Sequence, residues 1–219
     1  MNATATPAVG PDTAPADAGA AESRRQILDV AARLFRREGY AATTLRAIAT
    51  ECGMKAGSLY YHFASKDELM LEVLEIGVQR VFDAVRDAVS SLPPGTGLAA
   101  TLGCAIEAHL RGLLLAHDFT SANIRIFGQV PPHVRDAHKQ LRQRYERYWR
   151  DLLADLQKRG EIGADRNLRH TVNFLFGAMN WATEWHDERK AHVASVASDL
   201  ADMVARGLAP ATHTPSHDH

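Results

Sequence analysis

The sequence has little of what marks secreted or membrane-spanning proteins. It has two cysteines, Cys52 and Cys104, which form neither a CxxC pair nor a cysteine/histidine motif, so we expect no disulfide framework. No apolar run reaches the roughly 18 residues that a membrane span needs. The first residues also lack a charged segment followed by an apolar one. We therefore expect a cytoplasmic protein.

The chain as a whole also lacks an excess of charge of one sign, because its formal net charge is -1. The distribution is uneven, however, and the segment from Ser23 to Lys66 is clearly basic. Its basic residues are Arg24, Arg25, Arg33, Arg36, Arg37, Arg46, Lys55 and Lys66, against the acidic Asp29, Glu38 and Glu51. A positive patch is typical of a segment that docks on phosphates, although a solvated helix face explains the charge equally well. Charge alone does not decide between the two interpretations.

The alternating pattern of β-strands is missing, and apolar residues instead recur at spacings of three and four, which predicts an all-α protein. Ser23 and Gln26 form a capping box that predicts the start of the first helix, and Gly39 ends it. A second helix, capped by Thr43 or Thr44, a third of about two turns, and a fourth from Ser65 to Ser90 follow. We predict further helices over about 96–117, 119–129, 131–159, 166–186 and 190–207.

These elements predict four regions. Residues 1–21 are small or polar and are expected to form a disordered arm. Residues 22–67 form a small basic unit, and residues 68–208 form a larger helical body. Residues 209–219 are expected to be a flexible tail; its histidines could bind a metal, but a frayed terminus explains them better, and we assign the tail no function.

The segment from Thr44 to Phe63 has the form of a helix-turn-helix, in which two short helices meet at a glycine-containing turn. Apolar residues that can fix the helices together are Leu45, Ile48, Ala49, Met54, Leu59 and Phe63. Residues left to face a DNA groove or its rims are Lys55, Ser58, Tyr60, Tyr61 and His62.

At these residues the chain resembles the TetR/AcrR regulators, whose hallmark G-x-x-x-G-S-L-Y-x-H-F stands here as Gly53 to Phe63. It is followed by S-K-x-E-L, which stands as Ser65 to Leu69. The resemblance implies an N-terminal three-helix DNA-binding domain and a C-terminal helical domain for ligand binding and dimerisation. It also implies a homodimeric repressor that a small molecule releases from operator DNA. Lys55 departs from the pattern, because serine or threonine is frequent there.

The resemblance implies specific DNA contacts. Phosphates would be contacted by Thr43 or Thr44, Tyr61, His62 and Lys66, and base edges by Arg46, Lys55, Ser58 or Tyr60. For Tyr60, packing in the core remains an equal alternative.

The family resemblance also implies that the last two helices pair with those of a second copy. An apolar stripe supports this pairing, and we predict that its interface contains Phe174, Gly177, Ala178, Trp181 and Met203. The core of a monomer would explain the same stripe.

Aromatic and amide residues in the body suggest a ligand pocket, for which we predict Phe127, Tyr145, Trp149, Asn173, Asn180 and Trp181. Residues 127–185 resemble the body of TetR-type regulators of fatty-acid and steroid catabolism, which acyl-CoA thioesters commonly release from DNA. A drug-like or aromatic inducer is the alternative. Charged groups for a phosphorylated ligand would be Arg142, Arg144, Arg147 and Arg150, although a solvated face explains them as well.

Enzyme function is not predicted, because no nucleophile with a base, metal set or phosphate-binding loop has useful spacing. We therefore expect no cofactor, no catalytic residue and no bound metal. A metal-binding helical enzyme remains the alternative, since the scattered histidines could meet in three dimensions: His109, His117, His133, His138 and His170. A purely structural adaptor would not explain why the positive charge coincides with the helix-turn-helix.

Overall fold

The computed structural model describes residues 14–115, 118–120, 126–187 and 189–210. Every regular element in these ranges is a helix, which confirms the all-α prediction. The helices with both ends described are α1 (Ala14–Ala42), α2 (Leu45–Glu51), α3 (Ala56–His62), α4 (Lys66–Ser90), α5 (Leu98–Leu114), α6 (Pro132–Lys158), α7 (Leu168–Trp185) and α8 (Val193–Leu208). Residues 118–120 are also helical. None of the helices in the described ranges has the length and hydropathy that a membrane crossing requires.

Helix α1 begins at Ala14, upstream of the predicted start. The predicted cap at Ser23 is therefore wrong: its hydroxyl lies inside the helix and donates to the carbonyl of Gly19 at 2.9 Å. Residues 14–21, predicted to be disordered, are helical here, whereas residues 1–13 lie outside the described part. The predicted break at Gly39 is confirmed, because its φ of 84° is a left-handed conformation that favours glycine.

The turn between α2 and α3 forms as the sequence predicts. Thr44 is the N-cap of α2, and its side chain accepts a hydrogen bond from the Ala47 backbone N–H at 3.1 Å. Gly53 follows α2 with a φ of 69°, as expected of a helix-terminating glycine. Lys55 stands at the N-cap of α3 and makes no side-chain cap, which leaves the start of this helix without the hydroxyl acceptor that serine or threonine would supply.

A capping box fixes the start of α4. The Ser65 hydroxyl accepts from the Glu68 backbone N–H at 3.0 Å, and the Glu68 carboxylate accepts from the Ala64 backbone N–H at 2.8 Å. Because α4 begins directly after α3 and runs on to Ser90, it joins the DNA-binding region to the rest of the chain.

Two groups of buried apolar side chains hold the chain together. The head core joins α1–α3 to the first half of α4 and contains Ile27, Phe35, Ile48, Leu59, Phe63 and Leu74. The body core joins the second half of α4 to α5–α8 and contains Val85, Ile106, Trp149, Leu153 and Met179. The head core also takes Phe119, Ile126, Val130 and Val134, which lie far along the chain. The division at residues 67/68 therefore stays a prediction, since later residues pack into the head.

Four of the remaining predicted helices fall where the apolar periodicity places them, with ends that differ by a few residues. Helix α8, for example, covers Val193–Leu208 rather than 190–207. The predicted helix over 119–129 stays a prediction, because residues 121–125 lie outside the described part and residues 127–129 form a turn. The predicted tail is described only as far as Pro210, and its histidines lie outside the described residues.

Candidate nucleic-acid interface and ligand cavity

Helix α3 has one buried side and one exposed side. Leu59 is fully buried in the head core, as is Phe63 immediately after the helix, which confirms both as core residues. On the other side Tyr60 is 57% exposed and Tyr61 is 82% exposed, and Lys55 and Ser58 are also exposed. The core alternative for Tyr60 is therefore wrong.

Helix α2 adds polar side chains to the same region. Thr44 and Arg46 are exposed, so both are available to DNA. We call the exposed set the reading face: Thr44, Arg46, Lys55, Ser58, Tyr60 and Tyr61. Thr43 does not belong to it, because its side chain is fully buried and its hydroxyl donates to the Gly39 carbonyl at 2.8 Å. The predicted phosphate contact of Thr43 is corrected accordingly.

Lys66 has a structural role in addition to the one predicted. Its ammonium group donates to the carbonyls of Tyr40 at 2.9 Å and Thr43 at 3.1 Å, and it lies 4.1 Å from the centre of the Tyr40 ring. An ammonium held in this way ties the end of α1 to the start of α4. The side chain is half-buried and an ammonium has three N–H donors, so the phosphate contact of Lys66 stays a prediction.

The end of α3 is held by a residue that the motif did not indicate. Arg24 of α1 donates to the His62 carbonyl at 2.7 Å, lies 4.1 Å from the centre of the Phe63 ring, and pairs with Glu72 of α4. His62 itself is half-buried, with its ring edge-on to Tyr61. In the sequence, Arg24 stands out only as one of the basic residues of the charged segment. That charge does not show whether the residue has a structural role or contacts DNA.

Polar contacts connect the head to the body. The Tyr40 hydroxyl donates to one carboxylate oxygen of Asp67, and the His133 Nε2 at the start of α6 lies 2.6 Å from the other. The hydrogen bond from Tyr40 lowers the pKa of Asp67, and His133 and Lys66 lower it further. Arg36 of α1 also pairs with Asp118 at 2.7 Å.

The body contains a cavity of about 470 Å³ between α4, α5, α6 and α7. The side chains that line it are largely apolar, with a few polar and charged groups. They are Gly77, Val78, Val81, His109, Leu113, Thr120, Phe127, Arg142, Tyr145, Glu146, Asn173, Phe176 and Asn180. The predicted ligand residues Phe127, Tyr145, Asn173 and Asn180 thus come together in one cavity.

Two predicted ligand residues lie elsewhere. Trp149 is fully buried behind the cavity wall, with its ring centre 6.4 Å from those of Tyr145 and His109. Trp181 is 66% exposed on α7 and does not line the cavity. The helical period explains the error for Trp181, because a residue next to Asn180 faces a different side of the helix.

His109 is a cavity residue that the sequence analysis named only among the histidines of a possible metal site. Its Nδ1 lies 2.8 Å from the Tyr145 hydroxyl, and burial lowers the pKa of His109 to about 4, an effect that Asn180 offsets only in part. Burial likewise raises the pKa of Tyr145. The two groups are therefore neutral near pH 7. The sequence signal was weak, because a histidine among apolar residues of α5 is usually a satisfied core residue.

Among the described residues that line the cavity, Arg142 is the sole cation. Its guanidinium lies 4.4 Å from the centre of the Phe127 ring, and Glu146 lines the wall one turn later. The other arginines of the predicted set do not line this cavity: Arg144 borders a separate outer groove with Glu72 and Glu75, and Arg147 is exposed.

The predicted dimer residues are exposed. Phe174, Trp181 and Met203 are 76%, 66% and 72% exposed, and Gly177 and Ala178 are exposed between the two aromatic residues. Large apolar groups in contact with water are typical of a surface that another protein covers.

The ranges that the structure describes contain no cluster of three or more histidine, cysteine or acidic side chains placed to hold a metal ion. His117 lies outside those ranges. Three histidines of the predicted set lie in different places. His109 is in the cavity wall, His133 is at the contact between head and body, and the ring of His138 lies 5.9 Å from that of Phe127.

Comparison with known proteins gives matches over nearly all of the chain. The profile described as bacterial regulatory proteins, tetR family, matches residues 27–73, and that described as tetracyclin repressor-like, C-terminal domain, matches residues 96–208. The chain is 30% identical over 203 residues to the HTH-type transcriptional repressor KstR2 of Rhodococcus jostii (strain RHA1). This alignment covers 89% of the chain and 96% of KstR2.

Solved structures have the same fold. The TetR family regulator PfmR from Thermus thermophilus is 25% identical, with a TM-score of 0.70 over 82% of this chain and 97% of PfmR. AibR, solved in complex with isovaleryl coenzyme A and operator DNA, is 18% identical, with a TM-score of 0.71 over 87% of this chain and 100% of AibR.

Proposed function

Because this chain belongs to the TetR family of bacterial regulatory proteins, we propose that it is a homodimeric transcriptional repressor, acting in the cytoplasm, that a ligand in the body cavity releases from DNA. The observation that carries the proposal is the joint presence of an exposed reading face and a separate lined cavity within one chain. The relation to the repressor KstR2 over most of both chains supports the same function.

DNA binding is assigned to the reading face. Helix α3 is short, exposed and rich in polar and aromatic side chains, which suits entry into a major groove. Lys55, Ser58 and Tyr60 would read base edges, while Thr44, Tyr61 and His62 would contact phosphates. Arg46 lies at the rim between the two groups, where its charge favours either contact.

Dimerisation is assigned to the exposed apolar face of α7 and α8. Phe174, Trp181 and Met203 would be withdrawn from water in a bundle formed with the same helices of a second copy. A two-fold dimer presents two α3 helices to two half-sites, which explains why a symmetric operator is expected. Asn173 and Asn180 of α7 line the cavity, so the proposed interface and the cavity wall share this helix.

An acyl-CoA thioester is the ligand class that we propose. The apolar walls of the cavity suit an acyl chain, and the guanidinium of Arg142 can pair with a phosphorylated group. AibR has the same fold and binds isovaleryl coenzyme A. An apolar, uncharged inducer is the second candidate, because Glu146 lies in the same wall as Arg142 and offsets its charge.

Coupling between cavity and reading face is assigned to residues 118–120 and 126–131, which we call the connecting segment. Its residues reach both places: Phe119 and Ile126 pack in the head core, Thr120 lines the cavity, and Phe127 lines the cavity and also packs against the head core. A ligand that moves the cavity wall would therefore also move the packing beneath α1–α3. A ligand shifts DNA affinity only if it binds better to the state whose reading faces are misplaced.

The proposal is tested by a mobility shift of the purified protein on its own upstream DNA, titrated with octanoyl-CoA, octanoate and free CoA. Release by the thioester at concentrations where the acid and CoA have no effect is the expected result. Binding to DNA that none of the three disturbs would reject the thioester, and failure to bind would reject the reading face on that DNA.

A matched pair of variants tests the role of Arg142. Arg142→Glu should raise the octanoyl-CoA concentration needed for release at least tenfold, since it replaces an attractive charge in the cavity by a repulsive one. Arg147→Glu makes the same change of charge on the exposed side of α6 and should leave release unchanged. Equal behaviour of the two variants would favour the uncharged inducer.

A further inference from the structure

A buried part of the cavity wall holds a polar group that lacks a hydrogen-bond partner among the described residues. His109 is 4% exposed and lines the cavity, and its Nε2 is the atom without a partner there. A buried polar atom left in this way costs about 1–3 kcal/mol, so such atoms are rare in folded proteins unless a ligand or water completes them.

We propose that this part of the cavity recognises an uncharged carbonyl oxygen of the ligand, with the Nε2 hydrogen of His109 as the donor. The inference deepens the proposed function, because it concerns the same cavity. It requires that a ligand occupies the cavity, but it does not require that the ligand releases DNA.

Hydrogen-bond counting identifies the tautomer. If the Tyr145 hydroxyl donates to Nδ1, their 2.8 Å contact uses the hydroxyl hydrogen and leaves one unpaired group, the Nε2 hydrogen. If Nδ1 donates instead, both the hydroxyl hydrogen and the Nε2 lone pair remain unpaired in a buried site. The first arrangement leaves fewer unpaired groups, so Nε2 carries the hydrogen and requires an acceptor.

Charge decides which acceptor is suitable. Burial keeps the imidazole neutral near pH 7, and its ring lies among those of Tyr145, Trp149 and Phe176, at 5.9, 6.4 and 5.7 Å between ring centres. A carboxylate brought against these neutral groups would lose its hydration without an ionic partner among them. A neutral carbonyl accepts the hydrogen bond without that cost.

Asn180 is a second polar residue of the same wall. Its side chain lines the cavity, and its interaction with the imidazole raises the pKa of His109 against the larger effect of burial. The amide also carries two N–H donors and a carbonyl oxygen has two lone pairs, so an oxygen bound to Nε2 can accept from Asn180 as well once the amide presents its N–H to the cavity. The carbonyl could belong to a ketone on the apolar part of the ligand or to a thioester itself.

Calorimetry on two ligand pairs tests the proposal and separates these sources. Cyclooctanone and methylenecyclooctane differ by C=O against C=CH₂, whereas octanoyl-CoA and octyl-CoA thioether differ by the thioester carbonyl. For each pair, the ratio of the two dissociation constants is measured in the wild type and in His109→Leu. We expect the cyclooctanone preference to fall about tenfold in the variant, since the buried donor is lost.

Two further variants check that the effect comes from the hydrogen bond. His109→Gln can still present an N–H and should retain most of the cyclooctanone preference. Phe176→Leu alters the same wall without a hydrogen-bonding group, so it should change both affinities by similar factors. In the wild type, the Nε2–H proton signal of His109 should move when cyclooctanone is added and remain in place with methylenecyclooctane, a result that needs no variant.

Each outcome has a definite meaning. If the ratio of dissociation constants for octanoyl-CoA and octyl-CoA thioether changes in His109→Leu, the thioester carbonyl is the acceptor. If only the ratio for cyclooctanone and methylenecyclooctane changes, the acceptor is a ketone carbonyl on the apolar part of the ligand. Equal ratios in wild type and His109→Leu for both pairs, or an unmoved proton signal, would overturn the proposal. If the ratios depend on His109 but octanoyl-CoA leaves DNA bound, the carbonyl recognition holds and release by the thioester is rejected.

Discussion

The reading face takes its side chains from residues 44–61, whereas the cavity takes its side chains from four helices and the connecting segment, between Gly77 and Asn180. The reading face is exposed and polar, and its core partners are a few residues away in sequence. The cavity is lined by residues whose neighbours come from distant helices. Local structure thus positions the groups that we propose to contact DNA, and tertiary packing positions the groups that we propose to contact a ligand.

Reversing one charge on the reading face should give the largest effect. Lys55→Glu places a carboxylate near DNA phosphates and base edges, so we expect operator affinity to fall about a hundredfold, within the range of a lost base contact and added repulsion. Affinity for octanoyl-CoA should stay unchanged. Fluorescence anisotropy on labelled DNA measures the first quantity and calorimetry the second.

Lys139→Glu is the control, because Lys139 is exposed on α6 and the change of charge is the same. A similar loss of DNA affinity in both variants would mean that total charge, and not the reading face, determines binding.

The two regions should also differ in their response to acid. Burial lowers the pKa values of His109 and His138 in the body to about 4, and Arg142 lowers that of His138 further. Unfolded histidine has a pKa of about 6.5, so between pH 6.5 and pH 4 the unfolded state binds protons that the folded state does not. The contribution of these two histidines to the free energy of unfolding is therefore complete above pH 6.5, and it is lost as the pH falls from 6.5 toward 4.

Chemical denaturation at pH 7.5 and pH 5 measures this loss. We expect the free energy of unfolding to fall by about 2 kcal/mol per buried histidine. His138→Leu removes one of the two contributions, since neither nitrogen of His138 has a partner among the described residues. The acid loss of the variant should be roughly half that of the wild type, and an equal loss in both would show that His138 does not contribute.

A smaller effect is expected where the two regions meet. His133→Ala removes the contact with Asp67, so it should reduce the factor by which octanoyl-CoA lowers DNA affinity, by about three- to tenfold. DNA affinity without ligand should change little, because the reading face is untouched. Lys139→Ala, exposed on the same helix, serves as the control. If octanoyl-CoA lowers DNA affinity by the same factor in His133→Ala as in the wild type, the contact between His133 and Asp67 does not transmit the effect of the ligand. The connecting segment would then be the remaining connection between cavity and reading face.

The sequence predicted the reading face better than the cavity, because the reading face is built from neighbouring residues and the cavity from distant helices. The caps at Thr44 and Ser65 and the turn at Gly53 depend on a few consecutive residues, so a short motif was sufficient to predict them. Motif reasoning erred where a local residue turned inward: Thr43 is buried beneath the turn. It also did not indicate that Lys66 donates to backbone carbonyls. Nothing in the motif specifies which side of the turn these side chains occupy.

In the body, the sequence predicted a pocket and only part of its lining. Phe127, Tyr145, Asn173 and Asn180 line the cavity as predicted, yet α7 carries Trp181 on its exposed side. The place of His109 in the cavity was missed because it depends on Tyr145, which lies on another helix. Contacts between residues that are distant in sequence are not specified by any short pattern.

The central claim, that a ligand in the cavity acts on a distant reading face, is tested most directly by filling the cavity. Val78 lines it and is half-buried, so Val78→Phe should occupy space that a ligand needs. DNA affinity is measured with and without octanoyl-CoA in the wild type and in this variant. We predict that the ligand weakens DNA binding by the wild type and leaves that of Val78→Phe unchanged, with equal DNA affinity in its absence. Equal weakening in both proteins would contradict the claim, because the ligand would then act from another place.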